Sequence, residues 1–156
     1  MPQNGNHTRI TRLLDENLHG LVLYARQWGV FHAEDVVQDA FLKLLREEPF
    51  PDSPRAWLYR VVRNASIDRA RRDRLLTITD KLENWFEAIP ENQIDGEQVT
   101  RALETLSADV REIIIAKIWS GLTFREIAEL SGRPISSVHA DYQQGINRLK
   151  KLLSGD

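Results

Sequence analysis

The chain has 156 residues, a formal net charge of -2, 42% hydrophobic and 28% charged residues, and no cysteine. This is a globular rather than a disordered composition, enough for one domain or two small ones. The missing cysteine excludes a disulfide framework and thiolate zinc sites and suits a reducing compartment. No apolar run reaches membrane-spanning length, so no membrane insertion is expected. The start, MPQNGNHTRITRLL, lacks the basic stretch and apolar run of a secretory signal, so a cytoplasmic protein is expected.

Apolar residues recur at three and four positions without period-two alternation, which predicts an all-α chain. A first helix is expected over roughly Thr8 to Trp28, with Leu13, Leu14, Leu18, Leu21, Val22 and Ala25 as its stripe and Gly29 after it. The second, Ala33 to Glu47, puts Val36, Val37, Ala40, Phe41, Leu44 and Leu45 on one face at 100° per residue. Asp35, Gln38, Asp39, Leu42 and Arg46 fall on the other. The first face is core. The second sets an outward leucine between acids, which suits a partner-binding face as well as an ordinary solvated one.

EEPFPDSPRAW follows, and its prolines exclude a helix until Ser53 and Pro54, a cap and first-turn pair. On the third helix Leu58, Val61, Val62 and Ala65 point one way, while Arg60, Arg63, Asn64, Ile67, Arg71 and Arg74 line the other as a stripe. From Leu75 to about Glu97 the chain is acidic, contains Pro90 and Gly96, and keeps no period, which marks a linker. Trp85, Phe86 and Ile89 imply that this linker docks on something apolar.

Beyond it, Ser107 caps a helix stopped by Gly121, and Thr123 with Glu126 forms a capping box for a short helix stopped by Gly132. A last helix opens near Ser136 with Val138, Tyr142, Ile146, Leu149 and Leu153 at helical spacing. A short capped helix, a glycine-containing turn and a longer helix make a helix-turn-helix candidate. The expected organisation is a helical domain over 8–74, a linker over 75–97 and a second helical domain over 98–153.

Catalysis lacks a constellation. His7, His19, His32 and His139 match no metal-ligand spacing, and neither a glycine-rich phosphate loop nor a nucleophile elbow occurs. No enzyme activity, cofactor or metal is expected. Nucleic-acid binding has positive support: arginine neutralises phosphate and stacks on bases, and Trp57 and Tyr59 offer aromatic faces to unpaired bases. A solvated arginine face with Trp57 packed at the loop-helix junction is the competing reading. A proline-stiffened loop before that helix is a suitable rim for a pocket that accepts an extruded base.

AEDVVQDAFLKLL, PRAWLYRVVRNASIDRARR and LSADVREIIIAKIWSGLTFREIAELSGRPISSVHADYQQGINRLKKLL, in that order and spacing, resemble the successive regions of an extracytoplasmic-function sigma factor of the sigma-70 family. The resemblance spans roughly Leu13 to Leu153. It implies a promoter-specificity subunit of RNA polymerase that recognises two promoter elements and helps open the duplex without covalent catalysis. Asp35, Gln38, Asp39 and Leu42 would dock on the clamp helices of the largest polymerase subunit, and the polymerase flap is a further expected contact. The loop with Phe50 and Asp52 would capture a flipped minus-ten base. Arg55, Trp57, Arg60, Arg63, Asn64 and Arg71 would hold the melted non-template strand.

In the second domain the resemblance assigns duplex minus-thirty-five contacts to Arg133, Ser136, Ser137, His139, Ala140, Gln143, Gln144 and Arg148. The linker resembles the segment that threads the polymerase RNA-exit region. Family resemblance also implies an anti-sigma partner and nucleoid association when bound to polymerase. The recognition helix departs from the family, with His139, Asp141 and Gln144 where lysine and arginine are usual. Fewer phosphate contacts and weaker salt dependence follow, while Gln143 and Gln144 can read adenine edges. Either the element is atypical or this domain chiefly binds polymerase or a regulator. Rival readings are a stand-alone helix-turn-helix regulator, dimeric on half-sites about one turn apart, and an interaction module without DNA readout.

Overall fold

The computed structural model describes residues 2–30, 32–76, 85–86 and 95–154, with the side chains of 2–4, 6 and 74–76 outside that set. Seven helices and no strand occur among the described residues: α1 (Pro2–Arg26), α2 (Ala33–Arg46), α3 (Pro54–Leu76), α4 (Gly96–Glu104), α5 (Ala108–Ile118), α6 (Phe124–Ser131) and α7 (Ile135–Ser154). They divide into two compact units, Met1–Ile78 and Thr79–Asp156.

In the first unit α1, α2 and α3 pack on one another in all three pairs. Leu21, Leu23, Tyr24, Val37, Leu44, Leu58, Tyr59 and Val62 are fully buried between them. Tyr24 sets its ring edge-on to Trp28 at 5.0 Å and to Tyr59 at 5.2 Å, so the centre of this small core is aromatic. Tyr59 is therefore a packing residue and offers no face to a base. α1 begins six residues earlier than the periodicity indicates, since Pro2 suits a first-turn position and the polar residues that follow need no buried face. It ends near Gly29, which supplies a positive φ of 73°.

Leu45 departs from its expected core role: it is 46% exposed, beside Leu42 at 44%. A 14-residue helix packed on two neighbours buries only the arc around Val36, Val37, Ala40, Phe41 and Leu44, and Leu45 lies beyond its edge.

In the second unit α7 packs on α4, α5 and α6. α5 and α6 carry their expected caps: Ser107 Oγ accepts from Val110 N–H, and Thr123 and Glu126 exchange both hydrogen bonds of a capping box, at 3.0 and 2.8 Å. Gly132 turns the chain at φ 71° between α6 and α7. α4 opens at Gly96, inside the stretch read as linker, because Asp95 accepts from Gln98 N–H as its cap.

Most of the linker, with Ile89 and Pro90, lies outside the described residues, but its two aromatics do not. Trp85 donates its backbone N–H to Thr100 Oγ1 at 3.1 Å, the Arg111 guanidinium lies 5.8 Å from its ring, and Phe86 meets Trp119 edge-on at 4.9 Å. Both are buried. The apolar surface on which these aromatics dock is thus the second unit itself, and burial there lowers the Arg111 pKa against the charge of Glu104.

Candidate polymerase and nucleic-acid interfaces

The outward face of α2 is set by its packing. With Val36, Val37, Ala40 and Phe41 committed to the core, Asp35, Gln38, Asp39 and Leu42 are all exposed, and Leu45 extends the apolar part of the face. The first turn is fixed by Glu34, whose carboxylate accepts from Arg26 of α1 at 2.7 Å. Its pKa is lowered, first by a hydrogen bond from its own backbone N–H and then by Arg26, as expected at a helix N-terminus. Sequence reading missed this pair because eight positions separate its members across the turn between α1 and α2.

On α3, Leu58, Tyr59, Val62, Ser66 and Ala70 are buried. That arc leaves Arg60, Asn64 and Arg71 exposed and Arg63 and Ile67 half-buried, so the stripe stands along the outside of the helix. The side chain of Arg74 lies outside the described residues. Trp57 is half-buried where the loop joins α3, as is Arg55. Asn64 stands where the stripe meets a groove of roughly 480 Å³ between α2 and α3, lined also by Asp39, Lys43, Asp68, Arg69 and Arg72. Residues assigned from sequence to polymerase and to the melted strand therefore border one groove.

The loop between α2 and α3 brings Phe50, half-buried, and Asp52, exposed, to the same end of the unit. Arg9 of α1 places its guanidinium carbon 4.7 Å from the Phe50 ring centroid. Arg9 had no periodic or motif signal, since the contact bridges elements about forty positions apart.

On α7, Ser136, His139, Ala140, Gln143, Gln144 and Arg148 are exposed and Ser137 half-buried, a continuous face opposite the buried Val138, Gly145 and Leu149. Gln143 donates to Asn147 Oδ1 at 3.3 Å. His139 is backed by Phe124, the first residue of α6, with ring centroids 4.2 Å apart; the same ring takes Lys117 Nζ at 4.6 Å and the edge of Tyr142 at 5.1 Å.

Arg133 and Asp141 occupy a different arrangement from a charged reading surface. The Arg133 guanidinium donates to the Asp141 carboxylate, and both side chains are about three-quarters buried. The Arg133 pKa is raised, first by this hydrogen bond and further by the charges of Asp141, Asp109 and Glu112. Arg133 thus braces the turn against α7 rather than reaching outward. Asp141 presents a carboxylate whose charge is already matched, so its repulsion of a phosphate backbone is smaller than the sequence suggests.

Among the described residues no group of three or more His, Asp or Glu side chains is placed to hold a metal ion. No helix among them is long and apolar enough to cross a membrane.

Comparison with known proteins matches residues 16–75 to the Sigma-70 region 2 model and residues 96–149 to the Sigma-70 region 4 model. The chain is 30% identical over 120 residues to the ferric citrate uptake sigma factor FecI of Escherichia coli, covering 70% of this chain and 69% of that protein. It is 26% identical over 149 residues to the ECF RNA polymerase sigma factor SigW of Bacillus subtilis, covering 83% and 80%. Among solved structures it resembles the sigma factor RpoE of Bartonella quintana, in complex with the anti-sigma factor NepR, at 25% identity and a TM-score of 0.73, covering 97% of this chain and 98% of that one. A stand-alone helix-turn-helix regulator would account for the second match but not for the first. The chain belongs to the extracytoplasmic-function sigma factors of the sigma-70 family and acts as an RNA polymerase sigma factor in transcription initiation.

Proposed function

We propose that the work of this sigma factor is divided between its units as follows. The region 8–74 binds core polymerase through Asp35, Gln38, Asp39 and Leu42, and reads a melted minus-ten element through Phe50, Asp52, Arg55, Trp57, Arg60, Arg63, Asn64 and Arg71. The region 98–153 reads a duplex minus-thirty-five element through Ser136, Ser137, His139, Ala140, Gln143, Gln144 and Arg148, and rests on the polymerase flap. Residues 75–97 connect the two. The observation that carries the assignment within the first unit is its pair of outward faces, an acid-and-leucine face on α2 and an arginine stripe on α3, which core packing leaves outward and which meet at the groove lined by Asp39 and Asn64.

Strand opening is driven by binding energy. The first unit favours extruded, unstacked bases over paired ones and so shifts the duplex toward its open state without covalent catalysis. The protein works in the cytoplasm, on the nucleoid when bound to polymerase. An anti-sigma protein that covers the polymerase-binding surface regulates it; the solved relative bound to such a partner supports this reading.

The test is a pull-down of purified core RNA polymerase, followed by transcription from a genomic fragment library with the starts sequenced. Tight binding with starts sharing two spaced upstream elements is expected. Failure to bind core would remove the whole division.

Two variants separate the DNA roles. Arg63→Ala with Asn64→Ala is expected to leave core affinity unchanged and to reduce open-complex formation roughly thirty- to several-hundredfold, since two charged or polar contacts of about 1–2 kcal/mol each are lost; permanganate reactivity of unpaired thymines measures it. Asp141→Asn is expected to free Arg133 for a phosphate. The holoenzyme's duplex affinity should then rise and its log-log salt dependence steepen by about 0.9; an unchanged slope in a salt titration would show that Arg133 stays braced without its partner.

A further inference from the structure

Whatever reads a flipped base must be held in shape before the base arrives. Pro49, Pro51 and Pro54 stiffen the loop between α2 and α3. Its backbone is otherwise little tied. Glu47 N–H bonds the Leu44 carbonyl at the end of α2, Trp57 N–H bonds the Ser53 carbonyl at the start of α3, and among the described residues 48–52 make no backbone hydrogen bond. The Arg9 guanidinium over Phe50 joins this loop to α1. Arg9 precedes the stretch matched by the region 2 model, which begins at residue 16.

A guanidinium that offers its face to a ring keeps its N–H donors around the edge of its plane, where they remain available to a phosphate. Arg9 is exposed and Phe50 half-buried, so the guanidinium meets solvent beside the loop. We propose that Arg9 is a positioning residue of the minus-ten reader. It fixes the Phe50 ring against α1 and presents its N–H edge to a phosphate of the melted strand, which couples base capture to strand binding. This rests on the sigma-factor division of labour proposed above.

The experiment uses the full chain assembled with core polymerase on a promoter recovered from the fragment-library transcription. Wild type is compared with Arg9→Ala, Arg9→Lys, Phe50→Leu and the Arg9→Ala/Phe50→Leu double variant. Readouts are melting of the free protein, affinity for core polymerase, and open-complex lifetime as salt is raised. Arg9→Ala is expected to leave the first two unchanged, to shorten the lifetime about three- to tenfold, and to flatten its log-log salt dependence by about 0.7, the loss of one single-strand phosphate contact. Arg9→Lys, which keeps a cation over the ring, should recover most of the lifetime, and Phe50→Leu should cost less in the Arg9→Ala background than in wild type.

Wild-type lifetime and slope in Arg9→Ala would overturn the proposal. So would a loss that tracks a lower melting temperature and adds fully to that of Phe50→Leu, since the contact would then be structural. Wild-type protein that neither binds core nor initiates would overturn the division of labour and this proposal together, and that failure is visible before any substitution is made.

Discussion

Reversing Asp35 and Asp39 together to arginine is expected to abolish tight binding to core RNA polymerase while the protein still melts at the wild-type temperature. Both acids are exposed on α2 and neither takes part in an ion pair among the described residues, so the fold depends on them little, chiefly through the helix-dipole contribution of Asp35 in the first turn. The helix beneath is held independently by Val36, Val37, Ala40, Phe41 and Leu44 and by the Arg26–Glu34 pair. Two like charges placed where two acids met a complementary surface cost about 2–5 kcal/mol, roughly thirtyfold to several thousandfold in Kd. Competition between labelled wild type and the variant for core polymerase measures the loss. A variant that competes as well as wild type would move the docking surface elsewhere, and one that melts early would return these acids to the fold.

Gly145→Val is expected to destabilise the second unit by about 1–3 kcal/mol, lowering its melting temperature by roughly 8–16 °C for a loss of about 2 kcal/mol. Gly145 is buried on α7 where that helix crosses α5. A Cβ there would come within 2.8 Å of Val110 Cγ1 and 2.9 Å of Ile114 Cδ1 and Cγ1. Both neighbours are β-branched, so their χ1 freedom to retreat is small. Gly145→Ala should cost much less, because helix propensity returns about 1 kcal/mol against the same crowding. Calorimetry of the two variants separates these terms; equal melting of Gly145→Val and wild type would mean that α5 and α7 yield easily.

Much of the fold is legible in the sequence because its punctuation is local. Ser107, the Thr123–Glu126 capping box, Gly132 and the Ser53–Pro54 pair each act within a few residues, and the observed helix boundaries follow them closely. The arc of α2 that faces outward follows equally from a period of 3.6. The same reasoning places Leu45 in the core and takes Tyr59 as a face for bases, since a helical wheel carries no information on how many neighbours a helix has. It finds the stripe of α7 through Val138 and Leu149 and passes over Gly145, whose role is to have no side chain.

Helical character, the starts of α3, α5 and α6, and the motif order shared with the family are legible in the sequence, because they depend on interactions within a few residues or on pattern. Packing in three dimensions is what assigns Trp85 and Phe86 to the second unit, pairs Arg133 with Asp141, rests His139 on Phe124 and lays Arg9 over Phe50. Each of these joins groups whose separation along the chain exceeds a helical turn, and their energies depend on distances that no local period encodes.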